Sequence, residues 1–494
     1  MIKITLCLLF AVIISTAFAQ TPFEKSGYRK LTTHKEITDY LTAVAGANKH
    51  FEIEYIGTSS KGREIPAIKL SEGKFGADNS KIKVLLFAQQ HGDEPSGKEG
   101  ALLLVSRFAS GELNYLLKKI DLVIVPQMNP DGGEVNRRRN GNGADLNRDH
   151  LILMQPENQG LHKFFSKYMF EASMDVHEYS PYSQSWIKFG AIKNSDEQIG
   201  RLTNINVSAA IRKYSGEKYI PYIKKYITEK GFSCFDYIPG GVPEADYIRY
   251  STFDINDGRQ GFGSLGTFSF IQEGKNGRDS IDNIERRSKG QMTGMLGFLE
   301  YLSKNSKEIK ALVKKEREKT VKGEPKNVAV QMIHVSDGST LKAPLLSVAT
   351  NRDTQIVVKN FRPVVKSLFD VTKPAGYLVP ESRLELLVWA ERHGLKIEKY
   401  VPSKRDIIEE YTITKIDSID FEGDIVADPS FETKKLTGDN LAGNYMFIPT
   451  AQLAGNIIVQ ALEPKSMIGL VTYKSFEHLL VKNAPFPVLR LIRK

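Results

Sequence analysis

The sequence predicts an α/β protein: a mixed, mostly parallel sheet with helices on both faces, followed by a smaller C-terminal α/β domain. Three observations predict it. Short apolar runs alternate with helical stretches along the N-terminal part, several of those runs end in residues able to do chemistry, and a Lys/Glu-dense segment precedes a second strand-rich part. The 494 residues are also more than one core usually holds, and 41% hydrophobic with 26% charged residues is the composition of a globular chain.

The chain opens with Lys3, an apolar run from Ile4 to Ile14, and Ala17-Phe18-Ala19 before Gln20, the layout of a cleaved signal peptide over residues 1–19. The run is shorter than the ~20 residues that span a bilayer, so a secreted or periplasmic mature chain is expected. Cys7 leaves with the signal. Cys234 then remains alone, which excludes an internal disulfide and a cysteine-rich zinc site. No later run is long and apolar enough for a membrane span. The 68 basic and 58 acidic residues give a net charge of +10, dispersed without a basic stripe interleaved with aromatics, so nucleic acid is not an expected partner.

Thr33-His34-Lys35-Glu36 has the pattern of a capping box and opens a helix through Leu41 and Val44. Phe51 to Ile56 then alternates as a strand, with turns at Gly57 and Gly62. Ile82 to Phe87, Leu122 to Val125 and Met174 to Val176 read as strands, and Glu99 to Phe108 and Leu161 to Phe170 as the helices between them. Phe268 to Ile271 is a further short strand. Arg286 to Tyr301 is an amphipathic helix that closes the first domain, residues 20–310. Lys304 to Lys326 reads as a solvated helix end and linker, the linker itself at 311–327. The C-terminal domain, 328–494, carries a faint echo: Gly376-Tyr377-Leu378-Val379-Pro380 and Asn444-Tyr445-Met446-Phe447-Ile448-Pro449 each precede a helix.

The chemistry gathers at strand ends. His91-Gly92-Asp93-Glu94 follows the strand through Ala88, at the sheet edge where open α/β folds bind ligands. A His-x-x-Glu pair alone is an ordinary polar turn and needs a third ligand. His177, ending the strand that begins at Met174, supplies it, and two His with one Glu leave a zinc ion an open position for water. Between them, Asn129-Pro130-Asp131-Gly132 runs into Arg137-Arg138-Arg139 and then Asp145-Leu146-Asn147-Arg148, an irregular loop suited to binding a carboxylate or an oxyanion by forked donors. Glu273 ends the strand from Phe268, where a carboxylate in an apolar setting beside a metal can take and return a proton.

These motifs, together with the entry segment Ile56-Gly57-Thr58-Ser59-Ser60-Lys61-Gly62-Arg63-Glu64-Ile65, resemble the zinc metallocarboxypeptidase family of pancreatic carboxypeptidases and bacterial peptidoglycan peptidases. The match runs from about Ile56 to Gly274 in family order. The resemblance implies one zinc ion per chain on His91, Glu94 and His177, with Asp145 orienting His91. It implies Glu273 as general base and acid, Arg138 as the oxyanion-stabilising arginine with Arg137 and Arg139 as close rivals, and Asn147 and Arg148 as the grip on a terminal carboxylate. The family's mobile tyrosine is placed at Tyr250 by its distance from Glu273. Asp93 stands where the pancreatic enzymes carry a substrate-binding arginine, which leaves peptide and cell-wall peptide substrates both open. The side-chain pocket is expected between Tyr250 and Gly263, where Asp254, Asp257 and Arg259 either bind a substrate side chain or pair with one another.

Two other readings compete. A zinc deacylase similar to the aspartoacylase and succinylglutamate desuccinylase group shares the His-x-x-Glu turn and an Asp-Leu-Asn-Arg segment, but the signal peptide and the Asn129 to Gly132 turn argue against it. A non-catalytic binding protein on this fold is the other, and the presence of every expected chemical residue argues against that.

Overall fold

The computed structural model describes residues 20–243 and 245–493, so the expected signal peptide lies outside the described residues. The N-terminal part carries β1 (Phe51–Thr58), β2 (Glu64–Leu70), β3 (Ile82–Ala88), β4 (Ile120–Val125), β5 (Ala172–Tyr179), β6 (Ala191–Lys193), β7 (Glu197–Arg201), β8 (Cys234–Asp236) and β9 (Phe268–Lys275). All but β6 form one sheet in the order β1-β2-β4-β3-β5-β9-β7-β8. Its centre is parallel, β4-β3-β5-β9, with antiparallel pairs toward both edges. The fold class expected from the alternating strands and helices is the one observed.

Both faces are covered because both strand faces are apolar. Val84, Leu86, Met174, Val176, Phe268 and Phe270 pack on one side against α1 (His34–Ala47), α2 (Pro95–Ala109), a helix at Ile220–Glu229 and the long helix Ile284–Val321. Leu85, Phe87, Val123 and Val125 pack on the other against α3 (Pro156–Tyr168) and the short helix Gly258–Ser264. The capping box at the start of α1 is formed: Thr33 Oγ1 accepts from the Glu36 amide, and Glu36 accepts the Thr33 amide at 2.9 Å.

The helix expected over Arg286 to Tyr301 continues to Val321, so most of the expected linker is helical. The reason is a sparse apolar stripe that composition hides. Ile309 and Val313, one turn apart, stay in the core of the first part while the surrounding Lys and Glu face water, and Lys and Glu are good helix formers.

The C-terminal part is built from β10 (Asn327–Val335), β11 (Leu341–Ser347), β12 (Asp353–Val358), β13 (Val364–Thr372), β14 (Gly376–Pro380), β15 (Glu398–Lys399), β16 (Ile407–Phe421), β17 (Asp424–Thr437), β18 (Tyr445–Pro449), β19 (Ala484–Pro485) and β20 (Leu489–Arg493). Its main sheet is antiparallel throughout. The sequence echo corresponds to β14 and β18, which pair with each other from Gly376 opposite Pro449 to Pro380 opposite Tyr445. Each is followed by a helix, Leu384–Arg392 and Gly455–Leu462.

The two parts share structure. β11 pairs with β6 of the N-terminal part, and Leu151, Phe253 and Ile255 of that part sit in one hydrophobic cluster with Val328, Trp389, Phe421, Ile458 and Val471. Each large apolar side chain so buried contributes about 1.5–3 kcal/mol, more than a marginally stable domain can lose several times over. A chain ending at residue 310 is therefore expected to be insoluble or to melt without cooperativity in circular dichroism; a soluble fragment with a sharp melt would contradict the shared core.

Candidate active site

The parallel pair β5–β9 sets the site. Its register puts His177 beside Glu273 and Asp175 beside Ile271, on one face of the sheet at its carboxyl edge. The neighbouring strand β3 ends at Ala88, opposite Val176, and the turn after it carries His91 and Glu94. That turn fits only because residue 92 is glycine: a Cβ there would lie 2.1 Å from the Gly132 carbonyl carbon. Asn129 fastens the same contact, capping the Gly132 amide at 2.8 Å and donating to the Gln90 carbonyl at 3.0 Å and the Arg138 carbonyl at 3.2 Å. Asp131 holds the entry loop, accepting from Arg63 at 2.5 Å, Ser59 at 3.0 Å and the Lys61 amide at 3.0 Å.

Three buried donors converge there. Glu94 lies 2.7 Å from His91 Nδ1 and 2.9 Å from His177 Nδ1, and the two Nδ1 atoms are 3.2 Å apart. The opposite ring nitrogens face carboxylates, His91 Nε2 to Asp145 at 3.1 Å and His177 Nε2 to Asp175 at 2.8 Å. Such outer partners fix both tautomers with hydrogen on Nε2, which aims the two Nδ1 lone pairs at each other and at an anion. A cation resolves that repulsion, and the imidazole–carboxylate donor set suits a divalent transition metal. Without one the carboxylates draw protons to the rings instead: burial opposes protonation of His177, but Asp175 and Glu94 raise its pKa well above the ordinary histidine value. Burial pushes the Glu94 carboxyl up, and His91 and His177 outweigh it and hold it well below the usual carboxylate range.

A cleft of about 210 Å³ opens over these donors, lined among others by Arg138, Asn147, Arg148, Tyr237, Asp257 and Glu273. Arg138 reaches His91 Nδ1 at 3.1 Å and is held by Asp145 at 2.9 Å. Arg137 and Arg139 line a separate cleft beside it, with Lys61 and Gly141. Asn147 is fixed through its Oδ1, which accepts from the Gly258 amide at 2.9 Å and from Gln90 at 3.2 Å. Glu273 is 7% exposed; burial pushes its carboxyl up to about 7, the nearby His177 pulling the other way. Of the three charges expected in the side-chain pocket, Arg259 and Asp257 pair at 2.7 Å, while Asp254 faces Arg148 at 3.8 Å.

Tyr250 does not line this cleft. Its ring lies 5.2 Å from the Arg201 guanidinium, in a cluster with Trp186, Ile238 and Val358, because the backbone at 249 and 250 bridges to Arg362 and turns the ring away. Tyr237 lines the cleft instead, seated over Gly200, where a Cβ would meet its ring at 3.0 Å. Spacing from Glu273 points to Tyr250, which packs outside this cleft, and no local motif marks Tyr237. Asp175 was likewise missed, although its position two residues before His177 on a strand puts it on the same face as that histidine.

Residues 37–240 match the family model described as zinc carboxypeptidase. Carboxypeptidase 2 of Trichophyton equinum is 24% identical over 456 residues, 88% of this chain and 81% of that protein. Carboxypeptidase E of Caenorhabditis elegans is 34% identical over 112 residues, 19% of this chain and 24% of that protein. Among solved structures, thrombin activatable fibrinolysis inhibitor superposes with a TM-score of 0.45 at 15% identity, over 58% of this chain and 77% of that one. No helix among the described residues is long and apolar enough to cross a membrane. The family match lies across the turn of His91 and Glu94, the Asn129 loop and His177, so residues 37–240 carry a zinc carboxypeptidase domain, and with the carboxypeptidase relatives it supports a zinc metallocarboxypeptidase.

Proposed function

We propose that the protein is an exported carboxypeptidase that hydrolyses the terminal amide bond of peptides bearing a free C-terminal carboxylate, with Glu273 as the proton-transferring group. The observation that carries this reading is the pairing of His177 with Glu273 across β5 and β9, which sets a metal-type donor and a buried carboxylate side by side in one cleft. Export rests on the residues before Gln20.

His91, Glu94 and His177 would hold the zinc ion, which supplies Lewis acidity that polarises the scissile carbonyl and acidifies water. Glu273 accepts the proton of the attacking water and returns it to the leaving amine. Arg138, beside His91 and locked by Asp145, stabilises the charge that develops on the carbonyl oxygen. Asn147 and Arg148, which line the same cleft as Tyr237, take the substrate's terminal carboxylate.

Glu273→Gln should keep its zinc and lose about 10²–10⁴ in kcat, while His177→Ala should lose the metal, both read by elemental analysis and turnover. Asp175→Asn should weaken zinc binding about 10–100-fold in competition with a chelator, with the fold intact. Glu273 must be ionised to take a proton, so activity falls as pH drops through its pKa. That pKa is about 7 without a cation, and a bound cation lowers it, which puts the acid limb of kcat/KM below pH 7. The reading as a whole is tested by mass spectrometry of digests of peptides with free and amidated C-termini and of cell-wall stem peptides. Loss of single residues from free C-termini is expected. Cleavage of stem peptides alone would make the enzyme a cell-wall peptidase, and cleavage of amidated peptides would remove the carboxylate grip.

A further inference from the structure

A line of buried side chains leads from Asn147, at the cleft, into the protein, and each hydrogen bond along it has a direction. Gln90, the residue before His91, stands in its middle and is fully buried. Its Nε2 lies 2.9 and 3.0 Å from the two Asp175 oxygens and 3.2 Å from Asn147 Oδ1. Both neighbours are acceptors. Asn147 Oδ1 also takes the Gly258 amide at 2.9 Å, so that end of its side chain is the oxygen, and Asp175 faces His177 Nε2 at 2.8 Å. The end of Gln90 turned toward them is therefore its NH2. Its Oε1 is the end turned to His150, whose Nε2 lies at 2.8 Å.

That oxygen requires His150 to donate from Nε2. A neutral imidazole with hydrogen on Nε2 accepts at Nδ1, and His162, on α3, supplies the donor, its Nε2 standing 2.9 Å from His150 Nδ1. Burial pushes the His150 ring down to about 4, with Asp175 pulling the other way, and burial holds the His162 ring well below the ordinary histidine value. Both rings are thus neutral at neutral pH, as the order of donors and acceptors demands. The order runs from His162 to His150, from His150 to Gln90 and from Gln90 to Asn147. With its oxygen held by Gln90 and the Gly258 amide, the Asn147 NH2 has no protein partner among the described residues, and Asn147 lines the cleft.

We propose that Gln90 and His150 are positioning residues for the carboxylate grip: His150 holds the Gln90 oxygen and the Gln90 NH2 holds the Asn147 oxygen, which leaves the Asn147 NH2 as the end presented to a substrate's terminal carboxylate. A side-chain amide has nearly the same shape either way round, so packing alone does not choose between its ends, and the wrong end sets an oxygen against the carboxylate. Asp175 makes the same choice for Gln90 from the metal side, which ties the orientation of Asn147 to the outer partner of His177. The inference rests on the reading of Asn147 as part of the grip on the terminal carboxylate.

The test uses the full-length zinc-loaded protein as wild type, Gln90→Met, His150→Leu, His150→Gln, Asn147→Ala and the Gln90→Met/His150→Leu double variant. Each is assayed on N-acylated dipeptides with a free C-terminal carboxylate, with zinc content and thermal melt recorded beside the kinetics. His150→Leu should raise KM about three- to tenfold, with kcat within about twofold and one zinc ion retained. Gln90→Met should raise KM at least as much, and the double variant should be no worse than Gln90→Met alone. His150→Gln, whose amide can still donate to Gln90 Oε1, should recover most of the KM. If His150→Leu does not fold, Gln90→Met, at the other end of the same hydrogen bond, decides the matter by itself. If Asn147→Ala raises KM while Gln90→Met and His150→Leu leave it unchanged, or if the effects at 90 and 150 multiply, the positioning role is overturned while the grip stands. If Asn147→Ala leaves KM unchanged, the grip reading falls and the inference with it.

Discussion

The convergence of two imidazole Nδ1 atoms and one carboxylate at the carboxyl edge of the sheet is the interaction on which the rest of the structure depends. Bringing His91, Glu94 and His177 together in a buried place, with Asp145, Asp175 and Glu273 around them, gathers more negative charge than Arg138 can offset. Uncompensated buried charge is costly, so the arrangement favours a bound cation or, without one, protons on the imidazole rings. Glu273 lines the same cleft. Burial pushes its carboxyl up to about 7, and His177 pulls the other way.

The scaffold's features follow from that constraint. Parallel pairing of β3, β5 and β9 delivers three strand ends to one edge, and the two-residue period of β5 puts Asp175 and His177 on one face. The close approach of the turn at Gly92 to the Gly132 loop brings His91 within reach of Asp145. Asn129 and Asp131 do no chemistry in this account; they tie the metal-side turn, the arginine loop and the entry loop into one body.

Much of this was legible in the sequence. Strand ends were visible as breaks in apolar runs, and the donors were visible because they sat at those breaks. The metal-type cluster and the cleft residues Arg138, Asn147, Arg148 and Glu273 come together as the motif order suggested. What escaped depended on contacts far apart in the chain. Tyr237 lines the cleft while Tyr250 packs outside it, where the backbone at 249 bridges to Arg362, over a hundred residues downstream. The long helix ran past its expected end because Ile309 and Val313 are too sparse among lysines to register as a stripe, yet suffice to hold its last turns on the core. The shared core of Phe253, Trp389 and Phe421 was hidden for the same reason, since composition alone cannot say which half an apolar side chain will pack against.

The central claim is most directly tested by X-ray absorption at the zinc edge of the full-length protein loaded with one equivalent of zinc. The account predicts a first shell of nitrogen and oxygen only, with two imidazoles at about 2.0–2.1 Å. A shell containing sulfur, a single imidazole, or zinc lost on simple desalting would contradict it.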